Sequence, residues 1–323
     1  MNNTGDLLQD IVTWDEYSVM VRGERVLFYS GEFHPFRLPS PGLWLDVFQK
    51  IKAVGFSGVS FYVNWALLEG SPGHIGMDGV FALQEFFDAA TAAGIYLLAR
   101  PGPYINSEVS GGGYPGWTVR LKGPIRTNAT DWLDATRNYV QTVGPIIANA
   151  QITNGGPVIL VQPENEYTLC ASGLAAAAAT GDPSGLSVCL NHYYMVDVEA
   201  MWRETGIVVP YISNDATALG NFAPGSGIGA VDIYGFDSYP LGWGQACKYI
   251  CHARRAGSYF VTDLYAGSDP SSWVRANAVF LPTMTNFTIH EEISPSSPFS
   301  IVEYQGGSAE GWYVLCSSIL SYS

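Results

Sequence analysis

Residues 158–167 read VILVQPENEY, an apolar, β-branched run that delivers a proline and then Glu164, Asn165 and Glu166 in succession. Such a run reads as a buried strand, and polar residues crowd its carboxyl end. The arrangement recurs along the chain. Strands are expected at 26–30, 59–64, 96–100, 158–162, 209–213, 231–235 and 299–304. Between them, 43–54, 81–93, 132–148 and 193–205 repeat apolar residues at helical spacing. Gly55, Gly94 and Gly206 stand where three of those helices would end. Strands alternating with helices imply parallel pairing through right-handed crossovers. The expected fold class is therefore α/β, a (β/α)8 TIM barrel that is incomplete at about seven strands. In such a barrel the loops after the strands build the site; here they read GEFHPFR, YVNW, RPGPYINSE, QPENEY, ISND, GFDSYP and EYQGG.

Composition narrows the function. The 323 residues are 47% hydrophobic and 14% charged, which excludes a disordered chain. Twenty-nine acidic against fifteen basic residues give a net charge of −14, so nucleic acid is not an expected partner. No apolar run reaches the length of a spanning helix, so no membrane partner is expected either. The first residues, MNNTGDLLQDIVTWDEYSV, lack the basic start and apolar core of a signal peptide. Cys170, Cys189, Cys247, Cys251 and Cys316 permit up to two disulfides without specifying a pairing, and sequons stand at Asn2, Asn128 and Asn286. The expected organisation is a lead-in over 1–25, the barrel over 26–308 and a divergent tail over 309–323. Segments 168–187 and 245–267 fit the barrel pattern badly and are read as atypical insertions.

Three stretches could carry chemistry. Glu164 and Glu166 would share one face if the strand continued through them. Carboxylates at a barrel mouth suit glycosidic bond cleavage, in which one protonates the leaving oxygen and an opposing one attacks or activates water. Read alone, they are equally ordinary solvated loop acids. In FSIVEYQGG (299–307), Glu303 ends the apolar part of the run before a Gly-rich turn; read alone, it is equally a buried glutamate satisfied by hydrogen bonds or a strand-end charge. ARPGPYINSEVSGGGYPGW presents Tyr104, Asn106 and Glu108 before Trp117, and amides, carboxylates and aromatic faces are what sugar rings bind. The histidines are scattered and no serine sits in a G-x-S-x-G elbow, so neither a metal site nor a serine triad is expected.

Together, SGEFHPFRLPSPGLW, SFYVNWALLEG, RPGPYINSEVSGGGYPGW, VQPENEY, DIYGFDSYP and IVEYQGG resemble the catalytic barrel of fungal β-galactosidases of glycoside hydrolase family 35. The resemblance covers most of 12–167 and 188–244, then about 281–307. It implies a retaining β-galactosidase without metal or organic cofactor, acting on a β-galactoside substrate. Its acid/base would be Glu166 and its nucleophile Glu303. Tyr62, Asn106, Glu108, Asn165 and Tyr239 would hold ring hydroxyls, with Asn165 at the 2-hydroxyl. It also implies an extracellular enzyme. Against the family pattern, the last barrel helix and strand and the downstream β-rich domains are expected to be absent, and 245–267 and the tail are expected to be sequence foreign to the family. The alternatives are an inactive fragment or carbohydrate-binding remnant, and a retaining barrel glycosidase with another sugar preference.

Overall fold

The computed structural model describes residues 8–15, 17–167, 179, 190–216 and 219–238, and the backbone of four further strands between 259 and 316. The chain opens with an antiparallel meander, β1 (Val12–Trp14), β2 (Val19–Val21) and β3 (Glu24–Val26). Val12, Val19 and Val21 of this meander are buried in the main core. A stretch expected as a lead-in is thus structured.

Four parallel strands follow in sequential order: β4 (Ser30–Glu32), β5 (Gly58–Tyr62), β6 (Tyr96–Gly102) and β7 (Val158–Pro163). The crossovers carry helices α1 (Pro41–Ala53), the short α2 (Trp65–Leu68), α3 (Leu83–Ala93) and α4 (Thr130–Asn149). After β7 comes α5 (His192–Glu204). Parallel bridges then continue the sheet: Val161 pairs with Tyr211, Ile212 with Ile233 and Asp215 with Phe236. β8 (Tyr234–Ser238) pairs in parallel with β9 (Tyr259–Leu264). Among the described residues, seven chain passes therefore run parallel in sequence order, an open α/β barrel wall.

Every residue of β5 and of β7 is buried, because helices cover one face and the barrel interior the other. α1 and α3 meet through Phe48 and Phe86, whose ring centroids lie 4.9 Å apart, and Phe61 of β5 stands 5.2 Å from Phe86. Each such buried aromatic contributes roughly 1.5–3 kcal/mol. The four long helices fall where their apolar period predicts. Gly55, Gly94 and Gly206 each take a left-handed backbone just past a helix end.

Several expectations are corrected. The strand expected over 26–30 is two strands: β3 ends at Val26 and β4 begins at Ser30, with different partners. The strand expected over 209–213 is reduced to single bridges. The 245–267 segment, set apart as pattern-breaking, contains β9, whose YFVTDL is a β-rich run. The strand expected over 299–304 exists as β11 (Phe299–Gly306), but it does not join the parallel series. It pairs antiparallel with β10 (Phe287–Glu292) and β12 (Ala309–Cys316). Gly306 pairs with Ala309 across Gly307-Ser308, a two-residue Gly-Ser connection that favours a hairpin over a crossover. The tail thereby contributes β12. Segment 168–187, apart from Ala179, lies outside the described residues, as do Cys170, Cys189, Cys247 and Cys251. No helix among the described residues is long and apolar enough to cross a membrane.

Candidate active site

β7 ends at Pro163, so Glu164, Asn165 and Glu166 sit in the turn beyond it rather than on a continued strand. The turn needs left-handed backbone at Glu164 (φ 63°) and Glu166 (φ 43°). L residues with side chains rarely occupy that region, and it persists only where surrounding bonds hold it. The turn also parts the two glutamates.

Glu164 points inward and is 2% exposed. Its Oε2 accepts from Arg126 Nη2 (2.6 Å) and Nε (3.1 Å), and its Oε1 from the Tyr194 hydroxyl (2.6 Å). Arg126 lies between the rings of Tyr104 and Tyr167, 4.0 and 5.0 Å from their centroids, and also donates to the Asn165 carbonyl (2.7 Å). Burial works against the guanidinium charge, but the Glu164 carboxylate together with Tyr114 and Tyr194 holds Arg126 above its ordinary value. Burial, reinforced by Glu164, pushes the Tyr194 phenol far up, so it stays a donor. Glu164 is thus committed to a buried ion pair, whereas Glu166 is half-buried.

Asn165 is the hub. Its Oδ1 accepts from Arg100 Nη2 and Asn214 Nδ2, both at 2.8 Å, with Gln162 Nε2 at 3.2 Å and the Tyr62 hydroxyl at 3.3 Å. Arginine can only donate, which fixes that atom as the oxygen and turns Nδ2 away from these partners. Arg100 comes from β6 and is fully buried. Its Nη1 binds Glu32 Oε1 at the end of β4 (2.7 Å), and its guanidinium lies 4.2 Å over the Tyr62 ring. His34 Nδ1 accepts from the Tyr62 amide (3.1 Å), and its Nε2 stands 3.8 Å from Glu32 Oε2.

The later strands join the same network. Asn214 Oδ1 accepts from the Glu166 amide (2.9 Å), while its Nδ2 also reaches Asp237 Oδ2 (3.2 Å). Asp215 accepts from the Tyr234 hydroxyl (2.6 Å) and the Asn221 amide (2.9 Å); burial raises its pKa against those bonds. Carboxyl ends of six consecutive parallel passes therefore feed one polar cluster, a site architecture typical of a barrel mouth.

Of the residues expected at the site, Tyr62, Asn165 and Glu166 come together here. Asn106 and Glu108 lie in the β6 loop with left-handed backbone at 106, 107 and 108 (φ 53°, 50° and 46°). Arg37 steadies that loop through the Ser107 carbonyl and lies 3.6 Å from Glu108, whose side chain is largely exposed. Glu303 stands mid-strand in β11, paired with Thr288 and Trp312. Its side chain and all of Tyr239 lie outside the described residues. Glu32, Arg100, Arg126, Asn214, Asp215 and Asp237 were not singled out from the sequence. Five of them stand in carboxyl-end stretches already visible there (GEFH, ARPG, ISND and GFDS), which is the signal that could have found them.

The sequence profile of glycosyl hydrolases family 35 matches residues 18–231, two thirds of the chain. The chain belongs to this family. "Probable beta-galactosidase E" of Aspergillus fumigatus is 50% identical over 310 residues, 96% of this chain and 27% of that protein. "Beta-galactosidase A" of Penicillium sp is 51% identical over 320 residues and the "Beta-galactosidase" of Aspergillus niger 51% over 321, each covering 98% of this chain and 28% of that protein. This family 35 chain thus spans about a quarter of the length of these relatives, and the aligned stretch runs through 168–187 and 245–267. Among solved structures, an exo-β-1,4-mannosidase from an Opitutaceae bacterium (strain TAV5) matches 85% of this chain and 51% of its own, with TM-score 0.59 and 14% identity. That likeness shows the barrel fold alone.

Proposed function

We propose that this chain carries the catalytic barrel of a retaining β-galactosidase, releasing terminal non-reducing β-D-galactose from β-galactosides. The observation that supports this reading best is the Asn165–Glu166 pair beyond the fourth parallel strand. Asn165 is fixed by Arg100 and Asn214 with its Nδ2 turned away from them, and Glu166 stands beside it with its carboxyl outside the Glu164–Arg126 pair. Half of the chain's residues are identical to proteins named β-galactosidase, which supports galactose over another sugar.

In this reading Glu303 is the nucleophile and Glu166 the acid/base. The Glu303 carboxylate attacks the anomeric carbon as the glycosidic C–O bond breaks, and the Glu166 proton passes to the departing oxygen. Water then attacks the same carbon, gives its proton to Glu166 and displaces Glu303, so galactose leaves with its β configuration retained. The Asn165 Nδ2 donates to the 2-hydroxyl, and Tyr62, Asn106, Glu108 and Tyr239 hold the remaining hydroxyls. No cofactor enters the scheme, and an extracellular location belongs to the same proposal.

A panel of p-nitrophenyl β-glycosides, with the first-formed sugar followed by proton NMR, tests the reading. The expected result is turnover of the galactoside well above the glucoside and mannoside, with β-galactose appearing first. Preference for another sugar, or α-galactose first, would overturn it.

A further inference from the structure

We propose that Asn214 is a positioning residue for the Asn165–Glu166 pair: its side-chain amide latches the Glu166 backbone and sets the orientation of the Asn165 amide. The proposal deepens the reading of Glu166 as acid/base and rests on it. Asn214 is 4% exposed and stands between β7 and β8, which the bridges Val161–Tyr211 and Asp215–Phe236 hold on either side.

Both ends of its amide are used. Oδ1 accepts from the Glu166 N–H at 2.9 Å, and Nδ2 donates to Asn165 Oδ1 at 2.8 Å and to Asp237 Oδ2 at 3.2 Å. The orientation is forced, because the reverse would set the Asn214 oxygen against two acceptors and its NH2 against a donor. A carboxylate at 214 could accept from Glu166 but not donate to Asn165, and an ammonium the converse. Only an amide serves all three partners.

The geometry gives the latch a task. Glu166 has φ 43°, a backbone that a side-chain-bearing residue leaves unless held. The Asn214 bond is made to the N–H of that same residue. Together with Arg100, Asn214 occupies Asn165 Oδ1 at hydrogen-bond distance from two directions, so the Asn165 Nδ2 faces the opposite way. Small misplacement of groups that act only in the transition state lowers kcat more than it alters KM.

The test compares wild type with Asn214→Ala and Asn214→Asp by galactoside kinetics across pH, amide hydrogen exchange at Glu166 and thermal unfolding. For Asn214→Ala we expect kcat to fall about 10- to 100-fold with KM within about twofold, and the Glu166 amide to exchange at least about tenfold faster while the β7 amides keep their protection. Asn214→Asp keeps the acceptor, so Glu166 exchange stays slow. Its carboxylate cannot donate to Asn165, so kcat falls as in Asn214→Ala. A variant pair that loses only melting temperature, with kcat, KM and Glu166 exchange unmoved, overturns the proposal. If wild type turns over no galactoside, the acid/base reading fails by itself. Exchange then judges the latch: faster exchange confined to Glu166 in Asn214→Ala supports it, and unchanged exchange overturns it.

Discussion

Two positions separate Glu164 from Glu166, and burial decides what each carboxyl can do. Glu164 is 1% exposed at its side chain and lies 2.6 Å from Arg126. Neutralising it leaves a largely buried guanidinium short of its counter-charge, which is strongly destabilising. Glu164→Gln is therefore expected to lower stability by about 3 kcal/mol in denaturant unfolding, whereas Glu166→Gln leaves stability within about 0.5 kcal/mol. Equal losses would show that the two acids share one environment. In the sequence these residues looked equivalent, because alternation along a strand puts i and i+2 on one face. The turn after Pro163 breaks that alternation, and no spacing rule foresees two left-handed glutamates. The roles of Asn214 and Asp237 were hidden for a related reason: each depends on a neighbour 23 to 49 positions away.

At the scale of elements, α4 and α5 approach closely at Gly144. A Cβ added there would fall 2.4 Å from Thr205 Oγ1 and 2.6 Å from its Cγ2, too near for any real contact. Gly144→Ala is expected to cost about 1–3 kcal/mol through this overpacking, despite alanine's better helix propensity. A stabilised variant in thermal unfolding would contradict the packing. The helices were legible because their apolar faces repeat at 3.6 residues and their glycine stops follow at once. The strands were legible where both faces are buried, as in β5 and β7. They were misread where pairing rather than composition decides. FSIVEYQG reads equally well as a barrel strand or a hairpin arm, and only its partners across Gly307-Ser308 distinguish the two.

Across the whole molecule, folding is coupled to pH through groups such as a partly buried acid on α5. Glu199 on α5 has a buried Oε1 with no hydrogen-bond partner among the described residues. Burial first, then Asp232, raises its pKa to about 7 from an ordinary 4.5, with Arg203 opposing. The folded state thus keeps a proton that the unfolded chain releases. This costs nothing below about pH 4.5 and destabilises progressively as pH rises towards about 7. Glu199→Gln is expected to match wild type at pH 4 and to exceed it at pH 7 by on the order of 1–2 kcal/mol. A constant difference between the two pH values in denaturant titrations would refute the coupling.

In the proposed mechanism Glu166 and Glu303 divide the labour between proton transfer and nucleophilic attack. Azide added to alanine variants during p-nitrophenyl β-D-galactoside turnover distinguishes the two roles. In Glu166→Ala the galactosyl–Glu303 ester still forms, so azide should attack it from the opposite face and yield β-galactosyl azide with restored rate. In Glu303→Ala azide should replace the missing carboxylate and yield the α-azide. The same anomer from both variants, or no azide product from either while wild type hydrolyses the substrate, would contradict the account.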